Sequence, residues 1–577
     1  SENREKVAVL GENSMNLGID FGSTYTIASL YDENNKSLDA LLLGGMTSPC
    51  IPTVAALKKE KLSFGVTAKN ATGQIKTRMF GGFKMLISES DQDKLAKRGF
   101  DQEYTPVRLT KEFLENIVQM AEAKCGESEI DNLVIGAPEV WFQEMNTVSG
   151  RGTLRDICQQ LPNVRPEGVK VVSEPSCAGA FFAYNYMVLK GKPFSGHILL
   201  VDYGGGTLDI NLTSISAEPG PDGRQAMQIK VLESTGAGEN TEGKIGQAGM
   251  RYMESVAERA LIKNELWDPD DLPQPDGKFY RLVNQLEASI VARTGEIRSQ
   301  FIAYNGMDLE DLEEEEFDTL EYKEEEVVIS YATLLEVYDE VIRDVLGSKL
   351  VEMKNFIKKH NIDTSDDEKF KIALVGGFGN YYLVRKQVDE IFENGSLDGS
   401  MKDIIQKEED REKAISYGAA LFASGIVGIR QTAPYSIALY QTGQDGNPEV
   451  NYAFRYRADI KYDIPYFPSY ENGQPVIIFM ASGGVREFVI NMGHERETAL
   501  RVPLREEFRS KLIGLVTNQY KTAAIGFSLD SSEILRIHVH EYDLLKQKFT
   551  EKGKLIELAK FSELFDITAV RPVYSPK

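Results

Sequence analysis

Two short stretches carry residues whose types and spacing suit phosphate chemistry. IDFGSTYT at 19–26 and VDYGGGTLD at 201–209 share one order: an apolar residue, Asp, an aromatic, Gly, then small and hydroxyl-bearing residues. Glycine in such a turn leaves backbone N–H groups uncovered, and a row of them cradles phosphate oxygens with no side chain in the way. Ser23, Thr24 and Thr207 add hydroxyl donors. Asp20, Asp202 and Asp209 would repel a phosphate on their own. They make sense beside one if Mg²⁺ lies between, held largely through water. A single Asp-x-Gly hairpin is equally a tight β-turn capped by its aspartate. Two of them, strand-flanked and with Asp20 and Asp202 182 positions apart, point to a duplicated unit whose turns face one cleft. A third turn, in VGGFGNYYLVRKQV at 375–388, suits close backbone approach to a flat or anionic ligand, or simply joins a strand to a helix.

Positioning these turns takes strands that stop at the aspartates. NLGIDFG followed by STYTIASLYDENN reads as strand, Gly turn, strand, and GHILLVDYGGGTLDINLTSI repeats the pattern. DNLVIGAP is a buried strand ending in a Gly/Pro break, and KIALVGGFG is a strand running into a Gly turn. Helical spacing marks 110–124, 281–301, 332–360 and 411–429. The reading is a loose leader over 1–15, a mixed α/β unit over 16–428 and a linker at 429–435. An all-β module follows over 436–545, from alternating runs such as PVIIFMAS, REFVINMG, AAIGFSLD and ILRIHVHEY. LLKQKFTEKGKLIELAKFSELF predicts a short helix near 546–565, with a tail completing 546–577. Residues 308–326 hold twelve acids and one lysine, which reads as a solvated loop or helix insertion, the alternative being an interaction segment.

Composition narrows the function classes. At roughly 150 residues per domain, 577 residues suggest about four compact units. With 42% hydrophobic and 27% charged residues, the chain is neither a disordered tail nor a disulfide mini-scaffold. A net charge of −23 repels nucleic-acid backbones and acidic lipid surfaces, so neither is an expected partner. The four cysteines form no C-x-x-C pair and there are five histidines, which argues against a disulfide framework or structural zinc. The start, SENREKVAVLGENS, lacks the apolar core of a signal peptide, so the expected compartment is the cytoplasm.

The order of these motifs resembles the 70-kDa heat-shock chaperone family, within the actin, hexokinase and chaperone ATPase superfamily. LGIDFGSTYTIASL is similar to that family's first phosphate loop, IPTVAAL to its following strand and FGVTAKN to its next helix start. VVSEPSCAGAFFAYNY resembles the family's Asn-Glu-Pro-Thr-Ala-Ala-Ala helix, and LLVDYGGGTLDI its second phosphate loop. IALVGGFGNYYLV fits the adenosine turn and AISYGAALFAS the closing helix, so the match runs over residues 17–428. AIGFSLDSSEILRIHVHEYDL at 524–544 is similar to the last strands of the family's substrate domain. The resemblance implies a two-lobed α/β actin-like ATPase of duplicated ribonuclease-H-like halves, then an all-β sandwich and a short C-terminal helix. The family's long helical lid would be absent or reduced to that helix.

The resemblance also implies roles. ATP or ADP would lie against Asp20, Gly22, Ser23, Thr24, Tyr25, Gly204, Gly205, Gly206 and Thr207, with Mg²⁺ near Asp20, Asp202 and Asp209. Lys84, Glu174, Asp202 and Thr207 would be catalytic, Lys84 countering charge on the γ-phosphate and Glu174 helping to place water. Glu287, Gly376, Gly377, Phe378 and Asn380 would meet the nucleoside. Departures gather there. Asn380 stands where the family keeps an adenine-stacking arginine. The register Glu287, Ile290, Val291, Thr294 keeps the family's acid and loses both its cations. Phe378 or Tyr381 is expected to stack instead.

The β-module and linker complete the expectations. GIVGIRQTAPYSIAL lacks the family's leucine run, so module docking and J-domain co-chaperone stimulation are not implied. Ile477, Phe479, Met480 and Phe488 are candidate walls of an apolar peptide slot, or core residues. His538 and His540 share a strand face as a structural pair or metal ligands. The expected function is an ATP-hydrolysing chaperone-like protein whose nucleotide state governs protein or peptide binding, with a co-chaperone or exchange factor as a further partner. The alternative is a weakly hydrolysing, nucleotide-sensing scaffold for one dedicated partner. A filament-forming ATPase or a sugar kinase has no place for the β-module.

Overall fold

The computed structural model describes residues 15–126, 129–139, 141, 150–218, 227–237, 248–304, 309–392, 412–442, 447–477, 487–491, 500–507, 509–510, 520, 522–530, 534–557, 566, 569 and 571–572. Two large sheets repeat one plan. In the first, Met15–Phe21 pairs antiparallel with Tyr25–Asp32, which continues to Ser37–Ala40, while Ile130–Ala137 runs parallel to Met15–Phe21 on its other side. In the second, Gly196–Tyr203 pairs antiparallel with Leu208–Ser216, which continues to Met227–Ala237, while Phe370–Val375 runs parallel to Gly196–Tyr203. The strand order is the same in both. Each sheet's Gly turn therefore joins its first two strands, and a parallel neighbour lies beside the strand that carries the aspartate.

These strands read as apolar runs because they are covered on both faces. Leu17, Ile19 and Phe21 are fully buried in the first sheet, as are Leu199, Val201 and Tyr203 in the second. Two helices cross between the sheets, Glu174–Lys190 and Ala414–Ala423, and their small residues let backbones approach. A Cβ on Gly418 would lie 1.6 Å from the Cys177 carbonyl oxygen, and one on Gly18 would lie 2.2 Å from the Ala420 nitrogen. Ser29 and Ser416 hydroxyls bond across this crossing at 2.8 Å. The crossing joins the first sheet's Val134 and Val172 to the second sheet's Leu200 and Ala373 in one core.

Two sequence expectations are corrected. The acidic stretch is neither a loop nor a helical insertion throughout. After the short helix Leu309–Glu313 it forms the hairpin Glu316–Tyr322 with Glu325–Ser330. Phe317, Tyr322, Val327 and Ile329 are buried, while Glu316, Glu321 and Glu324–Glu326 face solvent, a period-two pattern hidden by the density of acids. The second correction concerns the helix expected near 546–565. Residues Lys548–Glu557 are a strand antiparallel to Leu535–Asp543, after a turn in which Gln547 has φ of 50°. Lys, Leu and Glu favour a helix locally, but pairing decides, and Gly553 lies against the His540 ring where a Cβ would come within 2.8 Å. Residues 558–565 lie outside the described residues.

The β-module has two antiparallel sheets. Ser436–Thr442 lies between Pro448–Phe454 and Glu487–Asn491, followed by Leu500–Pro503 and Arg571–Pro572; the second sheet is Ala523–Leu529, Leu535–Asp543 and Lys548–Glu557. Ile437, Leu439 and Phe454 from the first meet Ile525, Phe527, Ile537 and Val539 from the second in one core. Phe479 and Met480 lie outside the described residues, Ile477 is half-buried and Phe488 sits on the strand Glu487–Asn491. Val427–Ile429, at the start of the expected linker, joins the second large sheet parallel to Met227–Ala237. Among the described residues no helix is long and apolar enough to cross a membrane.

Candidate functional site

The two Gly turns face each other. A Cβ on Gly205 would lie 3.0 Å from the Thr24 hydroxyl oxygen, and one on Gly206 would lie 3.7 Å from that of Ser23. The second turn is closed by Gly204 N–H donating to the Thr207 carbonyl at 3.0 Å. Its carbonyls point at the N-terminus of the helix Gly249–Lys263: Gly249 N–H donates to Gly204 O at 3.1 Å and Met250 N–H to Gly205 O at 2.9 Å. In a trans peptide the next N–H points the opposite way. The N–H groups of Gly205 and Gly206 are therefore turned off the helix. The first turn needs Gly22 for packing, since a Cβ there would meet the Tyr25 carbonyl oxygen at 2.2 Å.

The acids and the lysine converge behind these turns. Lys84 opens a short 3-10 turn, Lys84–Leu86, just after Gly82, whose φ of 66° reverses the chain from the strand Thr77–Gly81. Glu174 is the first residue of its helix, capped by Ser173, whose hydroxyl accepts from Ser176 N–H, with Pro175 in the first turn. A carboxylate at that place suits the helix dipole. The Lys84 ammonium donates to Glu174 at 2.6 Å, and both side chains are more than nine-tenths buried. Burial, then the Glu174 charge, pushes the Asp20 carboxyl up to about 7. The same two causes push Asp209 up to about 7 and Asp202 well above the carboxylate range. Four carboxyls thus crowd around one ammonium, so that with no further cation three of them hold protons far more readily than free carboxyls do.

That imbalance is what a bound cation corrects. Among the described residues no three His, Cys, Asp or Glu side chains converge closely enough to ligate a metal directly. An ion here would be held partly through water, the habit of Mg²⁺. The donor set is all oxygen and suits it.

On the second sheet's side, Gly376 lies against the start of the second Gly turn with φ of 77°; a Cβ there would come within 2.5 Å of Tyr203 O and 2.6 Å of an Asp202 carboxyl oxygen. Gly377 is open, with nothing within 4 Å of a Cβ. Asn380 ends the 3-10 turn Phe378–Asn380 and is half-buried. Phe378 and Tyr381, expected to stack on a base, are turned into the core. Phe378 packs on Tyr203, Tyr252 and Tyr381 at 5.0 to 5.4 Å between ring centres, and Tyr381 shares a 2.7 Å hydrogen bond with the Tyr252 hydroxyl. The apolar environment inside the second lobe takes both rings. Glu287 is half-buried on the helix Gly277–Ala292; burial raises its pKa and the Lys69 ammonium opposes the rise. Lys69 also donates to the Tyr25 hydroxyl at 2.9 Å, so Tyr25, Lys69 and Glu287 gather from both sheets' sides of the cleft.

Sequence reasoning missed Lys69 and the residues that join the β-module to the α/β unit. One guanidinium nitrogen of Arg457 donates both to Glu139 at 2.9 Å, just past the strand Ile130–Ala137, and to Ser234 at 3.1 Å, on the strand Met227–Ala237. Beside it the Tyr456 hydroxyl donates to Glu233 at 3.1 Å. Arg155, on the helix Gly150–Gln159, pairs with Asp530, both nearly buried. Asp459 takes Lys230 and Arg430 at the surface. Glu139 is also among the charges that raise Asp209. The only local signal was the Gly/Pro break before Glu139. His538 and His540 make no metal site among the described residues: His538 bonds Ser528 at 2.7 Å, and His540 lies edge-on to Phe467 and Phe549.

Paired Gly turns on two sheets of like order, with carboxyls and a lysine between them, define a duplicated α/β fold with one shared cleft. No family model matches the chain. Curated relatives are similar to it at low identity. A ribosome-associated molecular chaperone of Zygosaccharomyces rouxii is 21% identical over 451 residues, covering 71% of this chain and 61% of the relative. Heat shock cognate 70 kDa protein 3 of Dictyostelium discoideum is 23% identical over 443 residues, covering 71% and 60%. Chaperone protein DnaK of Mycoplasmopsis agalactiae is 25% identical over 202 residues, covering 35% and 30%. The chain is thus similar, at low identity, to chaperones of the 70-kDa heat-shock protein family. It spans about three fifths of the length of the longest-matching relatives.

Proposed function

We propose that the cleft binds ATP or ADP with Mg²⁺, hydrolyses ATP slowly, and couples nucleotide state to protein or peptide binding by the β-module in a chaperone-like cycle. The observation that carries this is the set of four carboxyls around one ammonium, placed behind two facing Gly turns. When bound, Mg²⁺ neutralises phosphate charge near Asp20, Asp202 and Asp209. The chain's own residues do the rest. Ser23, Thr24, Thr207 and the Gly204–Gly206 backbone hold phosphate oxygens. Lys84, kept in place by Glu174, sets its positive charge against the terminal phosphate, where charge develops during transfer. Glu174 and Asp202 accept hydrogen bonds from the attacking water. Arg457, reaching Glu139 and Ser234 from the β-module, is the route by which lobe movement would reach the client site. The client is a protein or peptide.

A second reading, a scaffold that binds nucleotide and scarcely turns it over, is favoured by the burial of Phe378 and Tyr381. Single-turnover hydrolysis separates the two. Wild-type protein should convert bound ATP, and Lys84→Met should lose about 100-fold in rate while binding persists. A wild type that binds ATP and never hydrolyses it would leave the scaffold.

A further inference from the structure

We propose that one end of the three-stranded sheet formed by Lys61–Phe64, Val54–Lys58 and Thr77–Gly81 is a docking surface for an acidic protein segment, separate from the cleft and from the β-module. The distribution of charge along the chain points there. Residues 41–88 hold seven lysines and arginines and one acid, Glu60, in a chain with 88 acids against 65 bases overall. Three of the seven cations are engaged: Lys84 with Glu174, Lys69 with the Tyr25 hydroxyl and Arg78 with Asp101. The other four, Lys58, Lys59, Lys61 and Lys76, are exposed, and among the described residues none is paired with a carboxylate.

Strand pairing gathers these four ammoniums. Lys58 lies directly opposite Lys61 on one side and opposite Thr77, the neighbour of Lys76, on the other. The Lys58 ammonium donates to the Gln74 side-chain oxygen at 2.7 Å, which holds the turn bearing Ile75 and Lys76 beside the hairpin tip. Like charges directly opposite on a sheet destabilise it. Backbone geometry does not favour these residues either. Lys59, Glu60 and Lys76 have φ of 49°, 62° and 58°, and a hairpin turn of that kind prefers Asn-Gly. A carboxylate-bearing partner relieves the repulsion, and Ile75, 85% exposed among the lysines, offers it an apolar contact.

The surface lies away from the cleft. Val54 pairs with Gly81 at the end next to Gly82 and Lys84, and Lys58 pairs with Thr77 at the other end, about 13 Å further along the strands. Three strands span about 10 Å, which three or four extended residues cover. A short acidic stretch with an apolar side chain among its carboxylates matches that charge and size. A long polyanion such as RNA does not. Attraction to the patch is screened beyond about 8 Å, and the polymer would run on over a chain of net charge −23.

The test uses a fluorescent Glu-Glu-Leu-Glu-Glu-Leu-Glu-Glu peptide titrated with the whole chain, read by anisotropy. Binding should weaken at least about tenfold between about 50 and about 300 mM salt. Lys59→Glu/Lys61→Glu should weaken it at least about tenfold again, and Ile75→Ser should weaken it less. Lys59→Gln/Lys61→Gln repeats the comparison without added acids. Carbodiimide cross-linking with mass spectrometry should join the peptide to Lys59, Lys61 or Lys76. All these residues are exposed and outside the cleft, so ATP binding and the urea midpoint should stay at wild-type values, which keeps this test independent of the nucleotide reading. Absence of peptide binding, binding that neither double variant weakens, or cross-links only at other lysines would overturn the proposal. Tighter binding of a single-stranded oligonucleotide than of the peptide, lost in the same variants, would overturn it in favour of nucleic acid.

Discussion

Arg457 is where the reasoning about coupling is most exposed to experiment. Its side chain and that of Glu139 are 8% and 5% accessible, and the guanidinium also bonds Ser234. Glu139 follows a strand of the first large sheet and Ser234 lies on a strand of the second, so Arg457 ties the β-module to both at once. Replacing it with Met removes the cation and leaves the Glu139 carboxylate buried, with Asp209 nearby. Breaking a buried pair from one side costs about 3–5 kcal/mol, because the remaining charge has no partner and no water. The φ of 59° at this position is kept by Met, so backbone strain does not enter the difference. A loss of about 4 kcal/mol shifts the docking equilibrium about a thousandfold. The surface pairs at Asp459 cannot offset that, since each contributes at most about 1 kcal/mol. Small-angle scattering should show a larger radius of gyration for Arg457→Met, and hydrogen exchange should quicken over 427–432 and 229–234. The double variant Glu139→Met/Arg457→Met should recover most of the compact form, because no orphan charge remains. An Arg457→Met protein with unchanged scattering and exchange would refute the reasoning.

Other expectations test the scaffold. Gly418→Val drives a side chain into the Cys177 carbonyl, 1.6 Å from the ideal Cβ, and should lower stability to urea by at least about 3 kcal/mol; an unchanged midpoint would contradict the helix crossing. Burial, then His540 and Arg536, holds His538 down to about 4, below its ordinary value of 6.5. The unfolded chain therefore takes the proton first. This histidine's contribution is complete above about pH 6.5 and is lost as pH falls towards 4, by about 1 kcal/mol once partial exposure is allowed for. Urea midpoints at pH 7 and pH 5 should differ less in His538→Gln than in the wild type, and equal differences would count against it.

The cleft was legible because its signals are local. Asp-x-Gly turns, hydroxyl neighbours and strand-like flanks each sit within ten residues, and their repetition at Asp202 carried the inference to a shared site. Lys84 and Glu174 needed the family resemblance; no spacing rule pairs residues 90 apart. Arg457 and Glu139 are 318 positions apart, and the Gly/Pro break before Glu139 gave no hint of their pairing. The strand Lys548–Glu557 was hidden by helix-favouring composition, since its pairing with Leu535–Asp543 is a tertiary fact. Phe378 and Tyr381 misled for a related reason. An aromatic beside a Gly turn looks available for stacking, and only the position of Tyr252 on a helix 129 residues earlier shows that the core takes Tyr381.

The account turns on whether the clustered carboxyls and facing turns form a Mg²⁺-dependent phosphate site. The most direct measurement is calorimetric titration of the whole protein with ATP, with and without Mg²⁺, for wild type and Asp202→Ala. The account predicts binding by the wild type that weakens at least about tenfold without Mg²⁺ and is lost in Asp202→Ala. Binding that is indifferent to both Mg²⁺ and Asp202, or no binding by the wild type, would contradict it.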